Sequence, residues 1–395
     1  MNTLNLFKTP SKPISFRQFL PYSLAIFFII AWWSAAFLGE GEGYITILPP
    51  EQTARATEEF PLHITDRAQL REALNGNFNL MHDLFSKWEV DARFYETQNI
   101  PGASWIGFEK SLRFHSLMRT LTQKDTRRSI RLLPQTYAAA AILFALTTPS
   151  EIIAIPKGMR NGNAILTSDL TAQIPLDIDR LNSEVIAQEH PDLAFIAPYS
   201  NPQTVETLQR QGIQLLSIEP LHSEKGVLQN IERIGNAIDR TQESEILTLF
   251  IEASMANSDN RVAYLKHIGA DVPTKFAVLQ YYSNFKTPCE RTLTRKLLHR
   301  LEKFELQFYD PAAVNQDQWA AYVSMEDLIQ YDPDCLIISC GMKTEQLILD
   351  KNVQELKACK NSLIFTIDDE VQLSLTQHIA LAYFDLAESV AKSIK

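Results

Sequence analysis

The chain has 395 residues, a formal net charge of −10 and no long Lys/Arg run. Nucleic-acid binding wants a basic stripe that releases counterions, so that class is excluded, and the length allows about two or three domains. Composition is that of an ordinary globular protein, with no low-complexity stretch.

Residues 1–19 hold Lys8, Lys12 and Arg17 and no acid, and residues 20–38, "LPYSLAIFFIIAWWSAAFL", hold no charge at all before Glu40 and Glu42. At about 1.5 Å per residue this run reaches roughly 28 Å, close to the hydrocarbon thickness of a bilayer. The charge asymmetry predicts a cytoplasmic N-terminus and an extracytoplasmic remainder. The segment reads as a retained transmembrane anchor or as a signal, with Ser34, Ala35 and Ala36 offering a cleavage site. No cysteine lies nearby, which closes the lipoprotein route. Residues 39–125 then mix strand-like pieces ("GYITILPP", "PLHITD") with helical ones ("RAQLREALNGNFNLMHDLFSKW"), an α+β extension without evident chemistry.

A regular alternation begins in residues 126–222. "SIRLL", "EIIAI", "DLAFIA" and "IQLLSI" read as strands, with "TYAAAAILFAL", "DIDRLNSEVIAQ" and "PQTVETLQRQ" as helices between them. Such alternation means a parallel, helix-covered sheet. In "RLLPQTYAAAAILFAL" the strand stops at Pro134 and the helix starts at once, so Gln135, Thr136 and Tyr137 form a turn at the carboxyl end of a strand, where ligands sit in open α/β sheets.

Residues 223–268 carry apolar side chains at Leu228, Ile231, Ile234, Ile238, Ile246, Leu249 and Phe250, the stripe of a linking helix. Continuous over 226–255, it would be a strut of roughly 45 Å that resists hinge bending. The alternative is two helices broken near Thr241–Glu243. Alternation resumes in residues 269–395, through "KFAVLQYY", "CERTLTRKLLHRLEKF", "LQFYD", "SMEDLIQY", "CLIISC", a helix over 344–357, "SLIFTI" and a terminal helix over 371–394. "EVIAQEHPDLAFIA" (184–197) and "EDLIQYDPDCLIIS" (326–339) share Glu, Gln and Pro-Asp at identical spacing, which predicts two α/β lobes of similar build.

The cysteines, Cys289, Cys335, Cys340 and Cys359, all lie in the last third. Cys335 and Cys340 stand five apart on one strand, about 16 Å, so any disulfide must involve Cys289 or Cys359. Cys289 after Pro288 falls at an expected helix start, a place that lowers a thiol pKa. The eight histidines show no metal-ligand spacing, and the chain has no nucleophile elbow and no phosphate-loop signature. "KGMRNGN" (157–163) reads as a turn, with Lys157 or Arg160 available to an anionic ligand. Neither an enzyme nor a resident cofactor or metal is expected.

The succession "RLLP…ILFAL", "LNSEVIAQEHPDLAFIA", "QTVETLQRQGIQLLSIEP", "LQNIERIGNAIDR" and "VSMEDLIQYDPDCLIIS" resembles the helical-backbone periplasmic binding proteins of ABC importers for cobalamin, siderophores and haem, over roughly residues 128–395. The resemblance implies two Rossmann-like lobes joined by one long helix, with a small-molecule metal chelate held between them and handed to an ABC permease or other membrane protein. It places ligand-binding residues at Gln135, Thr136 and Tyr137, at Tyr199, Ser200 and Asn201 after "DLAFIA", at Tyr281 and Tyr282 after "KFAVLQ", at Gly341 and Met342 after "CLIISC", and at Trp319. It also gives Glu326 the role of an acid that docks on the permease. The chain departs from the family's pattern in three ways: the acid-free loop "YSNPQ" (199–203), the loop before "ILFAL", and "SNFKTPCE" where a glycine pair is common. With the added extension, a membrane-tethered scaffold or assembly factor that reuses the fold is the second expectation.

Overall fold

The computed structural model describes residues 62–121, 129–161, 165–178, 188–219, 223–269, 271–281, 284–311, 318–340 and 351–394. The apolar run 20–38 lies outside these residues, and among the described residues no helix is long and apolar enough to cross a membrane.

Within residues 62–121 the extension is helical: α1 (Arg67–Leu74), α2 (Phe78–Thr97) and α3 (Phe108–Thr120). This corrects the α+β expectation for "PLHITD". Those residues spend their hydrogen bonds on a helix, since the His63 backbone N–H donates to Asp91 (3.0 Å) and the Thr65 hydroxyl accepts the Trp88 indole N–H (2.9 Å). Asp66 and Asn77 start α1 and α2 as side-chain caps, accepting the N–H groups of Gln69 and Leu80.

The α/β part begins with β1 (Leu132–Pro134), α4 (Tyr137–Leu146), β2 (Ala154–Pro156), β3 (Leu176–Ile178), β4 (Leu193–Ile196), α5 (Pro202–Arg210) and β5 (Gln214–Ser217). β1, β4 and β5 form a parallel sheet in that order, with Leu132 opposite Leu193 and Leu193 opposite Gln214; β2 and β3 form a separate parallel pair. The helix expected over 177–188 starts instead as a strand, because Ala154–Pro156 lies ready to pair with Leu176–Ile178.

Two helices follow, α6 (Glu224–Ala237) and α7 (Thr241–Ile268). The continuous strut over 226–255 is thereby corrected in favour of the two-helix alternative, with the break just ahead of Thr241–Glu243: the chain turns at Ile238–Arg240, with Asp239 at φ 56°. The apolar stripe runs through the break in register, with Ile231, Ile234, Ile238 and Ile246 all buried, so periodicity conceals it. Tertiary contacts make it. Arg240 is buried and its guanidinium reaches Glu151 at 3.2 Å, and Gly235 admits the start of α7, since a Cβ there would stand 2.3 Å from the Ser244 hydroxyl. The long rigid element is α7, 28 residues and about 42 Å.

The second sheet contains β6 (Lys275–Tyr281), β7 (Phe285–Pro288), β8 (Gln307–Phe308), β9 (Ala320–Val323), β10 (Cys335–Cys340) and β11 (Ile364–Ile367), with α8 (Leu293–Glu302) and α9 (Met325–Tyr331) between strands and α10 (Ile379–Ser393) at the end. Its order is β11-β10-β6-β7-β9, with β8 beside β6; β7 runs antiparallel to both neighbours. "SNFKTPCE" is therefore a hairpin strand rather than a helix start. α8 begins only after Thr292, whose hydroxyl caps it through the Arg295 N–H.

The internal echo is structural. His190 and Asp332 both take left-handed backbone (φ 49° and 47°), and Pro191 and Pro333 are both buried. Asp192 Oδ2 accepts the Arg131 N–H (2.8 Å) just before β1, and Asp334 Oδ2 accepts the N–H groups of Thr274 and Lys275 (both 3.0 Å) where β6 begins. Each aspartate pins the next strand of its sheet. Trp88, Phe195, Phe250, Ile231 and Tyr383 belong to one continuous hydrophobic core, so the extension helices share the core of the α/β part.

Candidate functional site

Because β1 and β4 are parallel neighbours, the loops after them emerge at one edge, and the Gln135 N–H continues the ladder to the Phe195 carbonyl (2.9 Å). Thr136 is buried there as the cap of α4, its hydroxyl accepting the Ala139 N–H (3.1 Å). In the other loop the Ser200 hydroxyl accepts the Ala197 N–H, and the Asn201 side chain caps α5 through the Gln203 N–H, both at 2.9 Å. Thr136, Ser200 and Asn201 thus build the loops. The aromatic side chains offered to solvent are Tyr137, 54% exposed, and Tyr199, 81% exposed. Tyr137 lies across the "KGMRN" turn, where a Cβ on Gly158 would stand 1.9 Å from the phenol oxygen, so only glycine lets the ring take this position. Arg160 is committed within this region, paired to Asp177 and donating to the Thr171 carbonyl (3.1 Å).

In the second sheet Tyr281 closes β6 at the carboxyl edge, half-buried, its ring 5.0 Å from that of Phe285. Tyr282, Gly341 and Met342 lie outside the described residues. Glu326 is exposed in the first turn of α9. It stands near Tyr281, because Val323 pairs with Phe285 and Phe285 with Tyr281. Trp319 does not join this edge. β7 runs back down the sheet from its turn with β6, and the Trp319 carbonyl, just before β9, accepts the Cys289 N–H four residue positions, roughly 13 Å, from the Tyr281 level. There it is half-exposed with the Arg291 guanidinium 5.0 Å from its ring centre.

Cys289 is no activated thiol: it sits in a turn ahead of α8, and burial with the nearby Asp310 carboxylate pushes its pKa up. Cys289, Cys335 and Cys359 are free thiols, and burial pushes the Cys335 thiol up as well. Among the described residues no group of His, Cys, Asp and Glu could hold a metal ion.

A cavity of about 1090 Å³ lies elsewhere, where residues 64–67 meet the end of β11 and the outer face of α10. None of the residues expected from the sequence lines it. Its apolar wall includes Ile64, Phe365 and Phe384, and two of its carboxylates are paired: Arg67 grips Asp385 with two bonds of 2.7 and 2.8 Å, and Arg261, outside the lining, reaches Glu388 at 2.6 Å. Burial pushes the Asp385 carboxyl up against the opposing pull of Arg67. Arg67 and Asp385 are 318 residues apart, so nothing in the local sequence announces their meeting.

No family model matches the chain, and no curated protein matches it. Solved structures do. The periplasmic heme-binding protein BhuT, in complex with two hemes, superposes with a TM-score of 0.52 at 16% identity, covering 67% of this chain and 98% of its own. The periplasmic heme-binding protein RhuT from Roseiflexus sp. RS-1, in apo form, gives 0.51 at 19% identity, covering 67% and 99%. A periplasmic binding protein from Veillonella parvula DSM 2008 gives 0.53 at 17% identity, covering 66% and 84%. The chain therefore has the α/β fold of the periplasmic solute-binding proteins.

Proposed function

We propose that this protein is an extracytoplasmic solute-binding component of an ABC importer, taking a metal chelate of the haem, siderophore or corrinoid class. The supporting observation is that almost the whole length of two periplasmic heme-binding proteins is matched by 67% of this chain, here with two exposed tyrosines at the carboxyl edge of the first sheet. On this reading the two sheets belong to two lobes joined through α6 and α7. Tyr137 and Tyr199 pack flat faces against a planar chelate, where aromatic rings give large contact area at low entropic cost. Tyr281 faces them from the second lobe, Glu326 meets the permease, and residues 20–38 tether the protein to the inner membrane.

Titration of the purified protein with haemin, cobalamin and a ferric siderophore, followed by absorbance, tests this. Saturable binding of one of them, weakened about tenfold or more in Tyr137→Ala/Tyr199→Ala, is expected; flat titrations for all three reject transport of this class. A second reading, a tethered assembly factor, draws on Phe108 and Leu112, two exposed apolar side chains one turn apart on α3. Photo-crosslinking from position 108 in native membranes would capture a protein partner on that reading and none on the first.

A further inference from the structure

α3 lies along α7 with contacts spread over most of its length. The Gln242 amide donates to the Leu117 carbonyl (2.6 Å), Arg113 grips Glu245 with two bonds of 2.6 Å, Lys110 meets Glu252 (2.7 Å), and Asn260 accepts the Ser104 N–H (2.7 Å). Trp88 of α2 stacks on Phe250 of α7 with ring centres 5.1 Å apart. The order of these contacts, 117 to 104 against 242 to 260, makes α3 antiparallel to α7.

The turn between α1 and α2 does something different. Asn75 donates its amide to the Ile165 carbonyl (2.9 Å), near the β2–β3 pair. Its Oδ1 is left to accept from His378 Nε2 (3.0 Å), at the start of α10. That direction fixes the rest of the chain of bonds, in which His378 Nδ1 accepts the Thr376 hydroxyl (3.0 Å) and Thr376 accepts the Ser374 hydroxyl (2.7 Å). The imidazole is fully buried and stays neutral, its pKa lowered by burial to about 3. Next to Asn75, Gly76 has φ 96° and presses on the end of α4, where a Cβ would stand 2.8 Å from the Ala145 carbonyl oxygen. Beside it the Gln377 amide donates directly to the Ala141 carbonyl of α4 (2.7 Å). One two-residue turn therefore touches α4 and residue 165 on the side of the first sheet, and the loop before α10 on the side of the second.

We propose that α1–α3 are an intramolecular splint: laid along α7 and wedged between the two lobes by Asn75 and Gly76, they hold the lobes in one relative orientation, so that solute enters a cleft of fixed width. This rests on the two-lobe reading above and adds the element that sets the geometry of its cleft. Either substitution at the wedge removes a different support: Asn75→Ala deletes the bonds to Ile165 and His378, and Gly76→Val forces a left-handed β-branched residue into the Ala145 carbonyl.

The test is a distance measurement in the full chain, in nanodiscs, between spin labels carried by ketone-bearing residues at Glu206 on α5 and Glu355 after β10, both exposed and both free of cysteine chemistry. The wild type should give one narrow distribution, and each variant a distribution at least about twofold broader. A broad wild-type distribution, or a narrow one in folded Asn75→Ala, overturns the splint. Hydrogen exchange on the wild type gives a second measurement that needs no variant. Amides Leu143–Leu146 and Ile379–Tyr383, which flank the wedge, should exchange within about tenfold of the slowest amides of α7; exchange more than about a hundredfold faster also overturns it. These readouts are taken without solute. Failure of the solute-binding reading therefore appears separately, as flat haemin titrations beside an unchanged narrow distance.

Discussion

The two sheets are entered by the same corner and left by different edges. At the corners, His190-Pro191-Asp192 and Asp332-Pro333-Asp334 combine a left-handed residue, a buried proline and an aspartate that accepts backbone N–H groups of the neighbouring strand. At the carboxyl edges, β1 and β4 end in loops that expose Tyr137 and Tyr199, whereas β6 turns back into antiparallel β7, and Trp319, just before β9, lies away from the edge. The corners answer a folding requirement, since strand-initiating N–H groups at a buried bend must find acceptors. The edges answer no such requirement beyond capping the next helix, so their exposed side chains are free to differ. Each sheet's surroundings are also tied to the central helices by a buried charge: Glu151 with Arg240, the residue before α7, on the first side, and Asp259 of α7 with Arg300 and Lys303 on the second.

The largest expected effect comes from those fastenings. Arg240→Ala leaves Glu151 buried without its guanidinium and should cost about 3–5 kcal/mol in urea unfolding. A loss under about 1 kcal/mol would show that the break between α6 and α7 is set by the local chain rather than by this pair. The corners come next. Asp334→Ala removes the acceptor of two backbone N–H groups and the partner of Lys357, whereas Asp192→Ala removes the acceptor of one backbone N–H, that of Arg131. Losses of about 2–3 and about 1 kcal/mol are expected in that order; the reverse order would mean that the shared wiring carries unequal roles.

A smaller effect depends on pH and belongs to the second sheet. Glu290, after the β7 strand, is held at about 2 chiefly by the Lys296 ammonium, with burial opposing and His299 and Arg295 assisting. Its folded pKa lies below the unfolded value of about 4.3, so its stabilisation is fully present above about pH 4.3 and is lost as pH falls toward 2. Thermal melts of wild type and Glu290→Gln should therefore converge between pH 4 and 2; curves that stay parallel would remove the ion cluster from the stability of the second sheet. The smallest effect belongs to the exposed edge, where Tyr199→Ala should change stability by no more than about 0.5 kcal/mol while altering haemin affinity. A large stability loss there would mean the ring is part of the fold.

The strands were legible almost residue by residue: "LLP", "LAFI", "QLLS", "KFAVLQY", "CLIISC" and "IFTI" are strands, because apolar runs bounded by Pro, Asp and Gly carry their own signal. The Pro-Asp echo was legible for the same reason, since it solves a local hydrogen-bonding problem with local residues. The turn after β1 was legible as a turn, yet which of its side chains faces solvent was not: Thr136 became a buried cap and Tyr137 an exposed ring only once α4 was placed. Three further features were settled by residues far away in the chain. The break at Ile238–Arg240 depends on Glu151, 89 residues away; the antiparallel β7 depends on β6 and β9 offering edges; and the wedge depends on His378, 303 residues from Asn75. Periodicity and capping are properties of adjacent residues, and they determined the elements of this protein. Where the elements turn, what their exposed side chains meet and what holds them together rest on partners distant in sequence, and only the packed chain brings those partners within hydrogen-bonding distance.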